Sequence, residues 1–132
     1  MKLITRDTDY ALQAICFIAQ QKGEIVSVSD LVKGLKMPRP FLRKVLQVLN
    51  REGVLRSHKG KGGGFIVGKP VKAIRLVDLI KIFQGSFQLN ECFFRKMKCP
   101  NVKTCALRKR IETMENYIAS ELESITIASL LR

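Results

Sequence analysis

A mainly α-helical fold with one small β-hairpin is what this sequence predicts, and three observations predict it. Apolar residues recur at helical spacing in three segments between residues 5 and 52, and only Lys36-Met37-Pro38 separates the last two. A glycine- and lysine-rich run, residues 58–63, lies between two short β-type stretches. A long apolar periodicity then begins at Ala106. Read in order, these make a winged helix-turn-helix domain over residues 1–85. A cysteine-rich loop over 86–105 follows, then a dimerisation helix with its tail over 106–132.

The first helix is expected from Thr5 to Gln21. Ala11, Ala14, Ile15, Ile18 and Ala19 form its buried stripe. Thr5, Asp7 and Thr8 are candidate caps, Gly23 is a stop, and Asp7 and Asp9 suit the positive end of the helix dipole. Cys16 lies beside the stripe and reads as a small core hydrophobe. The second helix is expected from Ser27 to Lys36. Ser27 and Asp30 fit a capping box, and Leu31, Val32 and Leu35 face inward. Pro38 cannot continue that helix, and Pro40 suits the first position of the next.

The third helix, Pro40 to Glu52, carries Leu42, Val45, Leu46 and Leu49 on one face. Arg43, Lys44, Gln47, Asn50 and Arg51 occupy the other. Helix, three-residue turn, helix is the plan in which the second helix enters a DNA major groove. Arg39, Arg43 and Lys44 crowd the start of this helix with no acid in the turn. Cations there oppose the dipole by roughly 0.3–1 kcal/mol each. Opposite phosphates or guanine edges the same charges become favourable.

Strands are expected at Val54–Ser57 and Gly64–Val67. Between them the glycines permit a tight tip and the lysines charge it, so the hairpin reads as a wing beside the reader helix. A nucleotide-cradling loop is the rival reading. The run lacks the G-x-x-x-x-G-K-[ST] spacing and leads into a strand, not a helix N-terminus. A fourth helix follows at Leu76–Gln84, its inner face Leu76, Leu79, Ile80 and Phe83, closed by Gly85. The long helix, Ala106 to about Leu122, continues a seam of Leu107, Ile111, Met114, Ile118, Leu122 and Ile125. The steps approach a coiled-coil pattern, which calls for a partner, for packing on the chain's own first helix, or for both. A short apolar turn, Ile127 to Leu131, ends the chain.

Charge supports a polyanion partner. The chain of 132 residues carries a net +13, and residues 33–75 hold twelve Lys or Arg against one acid, Glu52. Excess concentrated in the middle third is the footprint of a nucleic-acid surface. The expected DNA contacts are Arg39, Pro40, Phe41, Arg43, Lys44, Gln47 and Arg51 from the reader, with Arg56, His58, Lys59 and Lys61 from the wing. An RNA partner would call for exposed aromatics, and the chain has no Trp and two Tyr. No apolar run reaches the roughly 18 residues of a membrane span. The acidic N-terminal stretch argues against an export signal, so a cytoplasmic protein is expected.

Three of the four cysteines stand as C-x6-C-x5-C at Cys92, Cys99 and Cys105. Three soft ligands in one loop suit a soft metal centre. Zinc sites usually show C-x2-4-C pairs, which this stretch lacks, yet Zn2+ on three Cys and a carboxylate stays open. Neither a C-x-x-C pair nor a nucleophile beside a base is present, so no catalytic site is expected and the chain is not read as an enzyme.

Several stretches together resemble the Rrf-type family of bacterial winged helix-turn-helix regulators, along essentially the whole chain. They are Thr8-Asp9-Tyr10-Ala11-Leu12, Met37-Pro38 through Leu49, Gly60-Lys61-Gly62-Gly63-Gly64-Phe65, and the cysteine triplet before a long helix. The resemblance implies a homodimer joined through the long helices on a pseudo-palindromic double-stranded DNA operator. It also implies an iron–sulfur cluster, [4Fe-4S] or [2Fe-2S], whose state sets DNA affinity and which Cys92, Cys99 and Cys105 would hold. Cluster-regulating members place a histidine three residues past the third cysteine, where this chain has Arg108. Nitric-oxide-sensing members use an acid of the N-terminal helix, and Asp9 matches that position, donated by the partner subunit. The resulting expectation is a regulator, repressing transcription, that senses redox, nitric oxide or iron–sulfur status. The alternatives are a zinc- or thiol-based redox regulator and a basic nucleic-acid-binding protein without a cluster.

Overall fold

A computed structural model of the chain describes residues 3–85 and 105–131. Cys92 and Cys99 lie outside the described residues. Among the described residues, six helices and one hairpin follow in the order α1 (Arg6–Gln20), α2 (Val28–Leu35), α3 (Arg39–Arg51), β1 (Leu55–His58), β2 (Gly64–Val67), α4 (Leu76–Gln84), α5 (Ala106–Ser124) and α6 (Ile127–Leu130). The mainly α architecture with a two-stranded wing is as predicted.

The helices bury the faces their periodicity selects. Ala11, Ala14, Ile15 and Ile18 of α1 meet Leu31 of α2 and Leu42, Val45, Leu46 and Leu49 of α3 in one core. Fully burying an aliphatic side chain contributes roughly 1.5–3 kcal/mol, so this cluster fixes the angle between α2 and α3. Cys16 packs at its margin, half-buried. Val77 of α4 is buried beside Leu76 and Ile80 in a second cluster with Leu122 of α5.

Several termini differ locally from expectation. Thr5 occupies the N-cap of α1, but its side chain caps no amide. The Thr5 N–H donates instead to Gln84 Oε1 at 2.9 Å. The turn after α1 is made by Lys22 at φ 53° and Gly23 at φ 88°. Arg39, not Pro40, is the first residue of α3, with Pro38 at its N-cap. The first strand starts one residue later than the alternation suggests, because the Val54 N–H serves Leu49 O at the close of α3. The long helix runs two residues past Leu122, to Ser124.

The tail returns to the core. Ile127 is fully buried with the α1–α3 cluster. Leu76 N–H donates to Ile125 O at 2.9 Å, Ile127 N–H to Ile74 O at 2.9 Å and Ala128 N–H to Val71 O at 3.1 Å. The C-terminal residues are therefore stitched to the strand-like segment preceding α4.

The seam on α5 divides. Leu122 is buried on α4, and Ile118 and Ile125 pack beside it. Leu107, Met114 and Tyr117 stand 66%, 51% and 68% exposed. Among the described residues, intramolecular packing therefore covers the C-terminal half, chiefly against α4, with Leu12 as the contribution of α1.

Candidate nucleic-acid interface and metal centre

The reader is built by three local devices. Ser27 Oγ accepts from Asp30 N–H at 3.1 Å while Asp30 Oδ2 accepts from Ser27 N–H at 3.3 Å, closing the predicted capping box at the start of α2. Such a cap contributes about 1 kcal/mol. Lys36 then takes a left-handed conformation, φ 54° and ψ 41°, and turns the chain. Met37 is buried and anchors the turn, and Pro38 is the N-cap of α3.

On α3 the residues Arg39, Pro40, Arg43, Lys44, Gln47 and Arg51 are exposed. Arg39 Nη2 donates to Ser29 Oγ at 3.1 Å, which ties the start of the reader to α2. Phe41 differs from the other expected contacts. It is half-buried, its ring lies edge-on to Tyr10 with centroids 5.4 Å apart, and the Arg6 guanidinium sits 4.8 Å from its centroid.

The wing pairs Leu55–His58 with Gly64–Val67 in antiparallel register. Arg56, His58, Lys59 and Lys61 are all exposed along it. Gly60 and Gly62 turn the tip at φ 95° and 78°, a region side-chain-bearing residues rarely adopt. The hairpin gains a third edge from Val26. Val26 N–H donates to Phe65 O at 3.0 Å and Phe65 N–H to Val26 O at 2.8 Å. Asn50 Oδ1 accepts from Ser57 N–H at 3.1 Å, joining the last turn of α3 to the wing. Asn50 is thus a strut between reader and wing. No sequence signal marks it, because an exposed Asn near a helix end is compatible with many partners.

Among the described residues, no basic side chain of α3 or the wing takes part in an ion pair. Their charge is free to meet an anion, and the two elements are held in one rigid relation by Val26 and Asn50.

The two described cysteines differ in setting. Cys16 packs against the core, and burial pushes its thiol above the ordinary value, the wrong direction for a thiolate ligand. Cys105 is half-exposed at the N-cap of α5. Among the described residues, no side chain caps that helix start and no acid stands in its first turn. Its positive end therefore suits a centre carrying negative charge. Arg108 Nε lies 3.2 Å from Glu112 Oε1, and a guanidinium offers no lone pair to a metal. Asp9 is exposed on α1, where its Oδ2 accepts from Gln13 Nε2 at 2.8 Å.

Gln84, the last residue of α4, holds the neighbourhood of Asp9. Its Oε1 accepts from Thr5 N–H and, at 2.7 Å, from the hydroxyl of fully buried Thr8, while its Nε2 donates to Leu3 O at 3.2 Å. The point at which the chain leaves α4 toward Cys92 is thus fastened to the first turn of α1. Among the described residues, the donors of a type that a soft metal group could use are the half-exposed Cys105 thiol at the start of α5 and the exposed Asp9 carboxylate, and no three such donors cluster.

Comparison with known proteins follows the same lines. A family model described as Rrf2, iron-dependent transcriptional regulator, matches residues 4–132. A provisionally named HTH-type transcriptional regulator of Aquifex aeolicus (strain VF5) is 32% identical over 124 residues, 92% of this chain and 86% of that protein. Among solved structures, the global cysteine regulator CymR of B. subtilis superposes with a TM-score of 0.83 at 21% identity, covering 98% of this chain and 96% of that one. The IscR of T. potens superposes at 0.74 with 23% identity, covering 98% and 85%. These structural likenesses concern the fold. Among the described residues, no helix is long and apolar enough to cross a membrane.

Proposed function

The chain belongs to the Rrf2 family of helix-turn-helix transcriptional regulators, which are not enzymes, and from that premise we propose that its DNA affinity is governed by an iron–sulfur cluster on Cys92, Cys99 and Cys105. Asp9 of a partner subunit completes the ligand set. One observation carries the reading: Cys105 stands at the positive start of α5, whereas Cys16, equally half-buried, packs against the core with its thiol disfavoured as an anion. The description of the matched family, which names iron, supports it.

When bound, such a cluster supplies an iron corner on a carboxylate ligand that oxidants or nitric oxide can displace. The chain's own residues do the rest. Arg43, Lys44 and Gln47 of α3 meet base edges in the major groove, and Arg39 and Arg51 meet phosphates. Arg56, His58, Lys59 and Lys61 contact the backbone beside it. The exposed part of the α5 seam, Leu107 and Met114, together with Tyr117 beside it, meets the same face of a second copy, placing two readers on a two-fold-related operator. Substituting Tyr117→Glu shifts the protein from dimer to monomer in sedimentation; an unchanged dimer contradicts this interface. In cells the protein acts in the cytoplasm as a repressor.

A second reading has its own support. The fold matches CymR, a regulator named for cysteine, which favours control without a cluster, through zinc or thiol chemistry. Anaerobic purification with visible spectra and iron, sulfide and zinc assays separates the two. Iron and sulfide with a visible chromophore, lost in Cys99→Ser and altered in Asp9→Ala, are expected. A colourless protein that cannot be reconstituted refutes the cluster.

A further inference from the structure

Three successive residues of α1 face three destinations. At about 100° per residue, neighbours on a helix point in different directions. Thr8 is fully buried and bonded to Gln84 at the exit of α4. Asp9 is exposed. Tyr10 meets the edge of Phe41 in the first turn of α3. Arg6, one turn earlier on α1, lies over the same Phe41 ring. We propose that Tyr10 and Phe41, with Arg6 over the ring, are the positioning residues through which the state of the Asp9 site reaches the reader helix. Phe41 then acts on DNA only through α3 and does not contact it. The proposal deepens the cluster-governed reading above and rests on it.

The geometry supports both halves. Phe41 is two residues from Arg43, so the two side chains leave α3 about 160° apart. A ring on that side supports the helix while Arg43 reads. The first turn of α1 is fastened by the three Gln84 bonds, so a pull on Asp9 does not dissipate in a frayed terminus. It passes to Tyr10 and so to Phe41.

Room for a second position also exists at this contact. A groove of about 230 Å³ borders Phe41, lined further by Asp7, Lys44, Val45, Val48 and Phe83. Leu42, Leu46 and Leu49, on the core side of α3, are fully buried. A displacement of α1 can therefore move the Phe41 end of α3, and with it Pro40 and Arg43, while the core face serves as the pivot. Asp9 and the reader of one chain are joined through the α1 backbone and the Tyr10–Phe41 contact, with no intervening element.

The test measures duplex affinity in two states of each protein, anaerobically isolated with its cluster and after chelator treatment. The probe is a duplex selected by the wild-type protein from a random pool. Coupling between sites commonly spans 5–150-fold, and a wild-type difference of about tenfold or more is expected. Phe41→Leu and Tyr10→Leu each reduce that ratio by about threefold or more, and the double variant reduces it no further, as for one shared contact. Iron content and the salt dependence of binding stay at wild-type values. Arg6→Gln, which removes the cation over the ring and keeps both rings, gives a smaller loss and serves where a ring variant fails to fold. A Phe41→Leu protein that keeps the wild-type ratio overturns the proposal. So does an equal loss of affinity in both states with a shallower salt dependence, because Phe41 would then be a DNA contact. Wild-type states that bind DNA alike overturn the regulatory reading itself.

Discussion

Substituting Gly64→Ala tests how the wing is held. A Cβ at Gly64 would lie 2.2 Å from Val26 O, 2.6 Å from Val26 C and 2.9 Å from Ser27 Cα. All three are backbone atoms, so no side chain can swing aside. Relief requires the strand to retreat from Val26 by about 1 Å, given ordinary contact distances. The reciprocal bonds between Val26 and Phe65, now 3.0 and 2.8 Å, would then exceed hydrogen-bonding range. Two such bonds contribute about 1 kcal/mol each. Loosened packing around buried Val26 adds roughly 1–2 kcal/mol. The sum, roughly 3–4 kcal/mol, lowers the melting temperature of a domain this size by roughly 10–15 °C. Because Val26 precedes the α2 cap, the retreat also swings the basic tip away from α3, and affinity for duplex DNA falls. Circular-dichroism melting and fluorescence anisotropy read the two effects. Lys61→Ala is the control, expected to weaken DNA binding at unchanged stability. A Gly64→Ala protein that melts within about 2 °C of wild type and binds DNA normally would refute the close-approach argument.

Three further outcomes are expected. The cations assigned to the DNA backbone, Arg39, Arg51, Arg56, Lys59 and Lys61, all exposed, give a slope of about −4.5 per chain in log K against log salt. Titrations at several salt concentrations should give a steep line, shallower by about 1 in Lys61→Ala, and a flat line contradicts phosphate neutralisation. Ile127→Ala should cost roughly 2–5 kcal/mol in denaturant unfolding because the side chain is fully buried in the main core, and a loss below about 0.5 kcal/mol contradicts that placement. Burial raises the Cys16 thiol above its ordinary 9.0. The folded state thus holds that proton more tightly than the unfolded one, so the contribution is complete below pH 9.0 and is lost as pH rises through the folded value. Wild type should therefore lose more stability than Cys16→Ala above pH 9.0, and parallel pH profiles contradict the buried setting.

Much of the reader was legible because its signals are local. The Ser27–Asp30 box closes within four residues, and the inner face of α3 is stated by Leu42, Val45, Leu46 and Leu49 at helical spacing. The start of α3 was misplaced by one residue because Pro40 is equally compatible with the first and second helical positions. Phe41 is expected among the DNA contacts because it stands between cations, and its contacts with Tyr10 and Arg6 of α1 carry no local signal. Gln84 gave no signal, because its partners are 76 to 81 positions away. The α5 seam was visible as a stripe, but periodicity reports only that a face is apolar. It does not say that Leu122 meets α4 while Leu107, Met114 and Tyr117 are left bare.

By itself, the sequence determined the helix-turn-helix, the charged wing and the cysteine spacing. Each depends on backbone preference, side-chain periodicity or charge within a short stretch. Only the tertiary structure decided that Val26 braces the wing, that Ile127 returns to the core, and that Asp9 stands between a Gln84 anchor and a Tyr10–Phe41 contact. Those pairings join residues far apart in the chain. Their selection depends on which buried surfaces fit together, a property of the packed whole that no local pattern encodes.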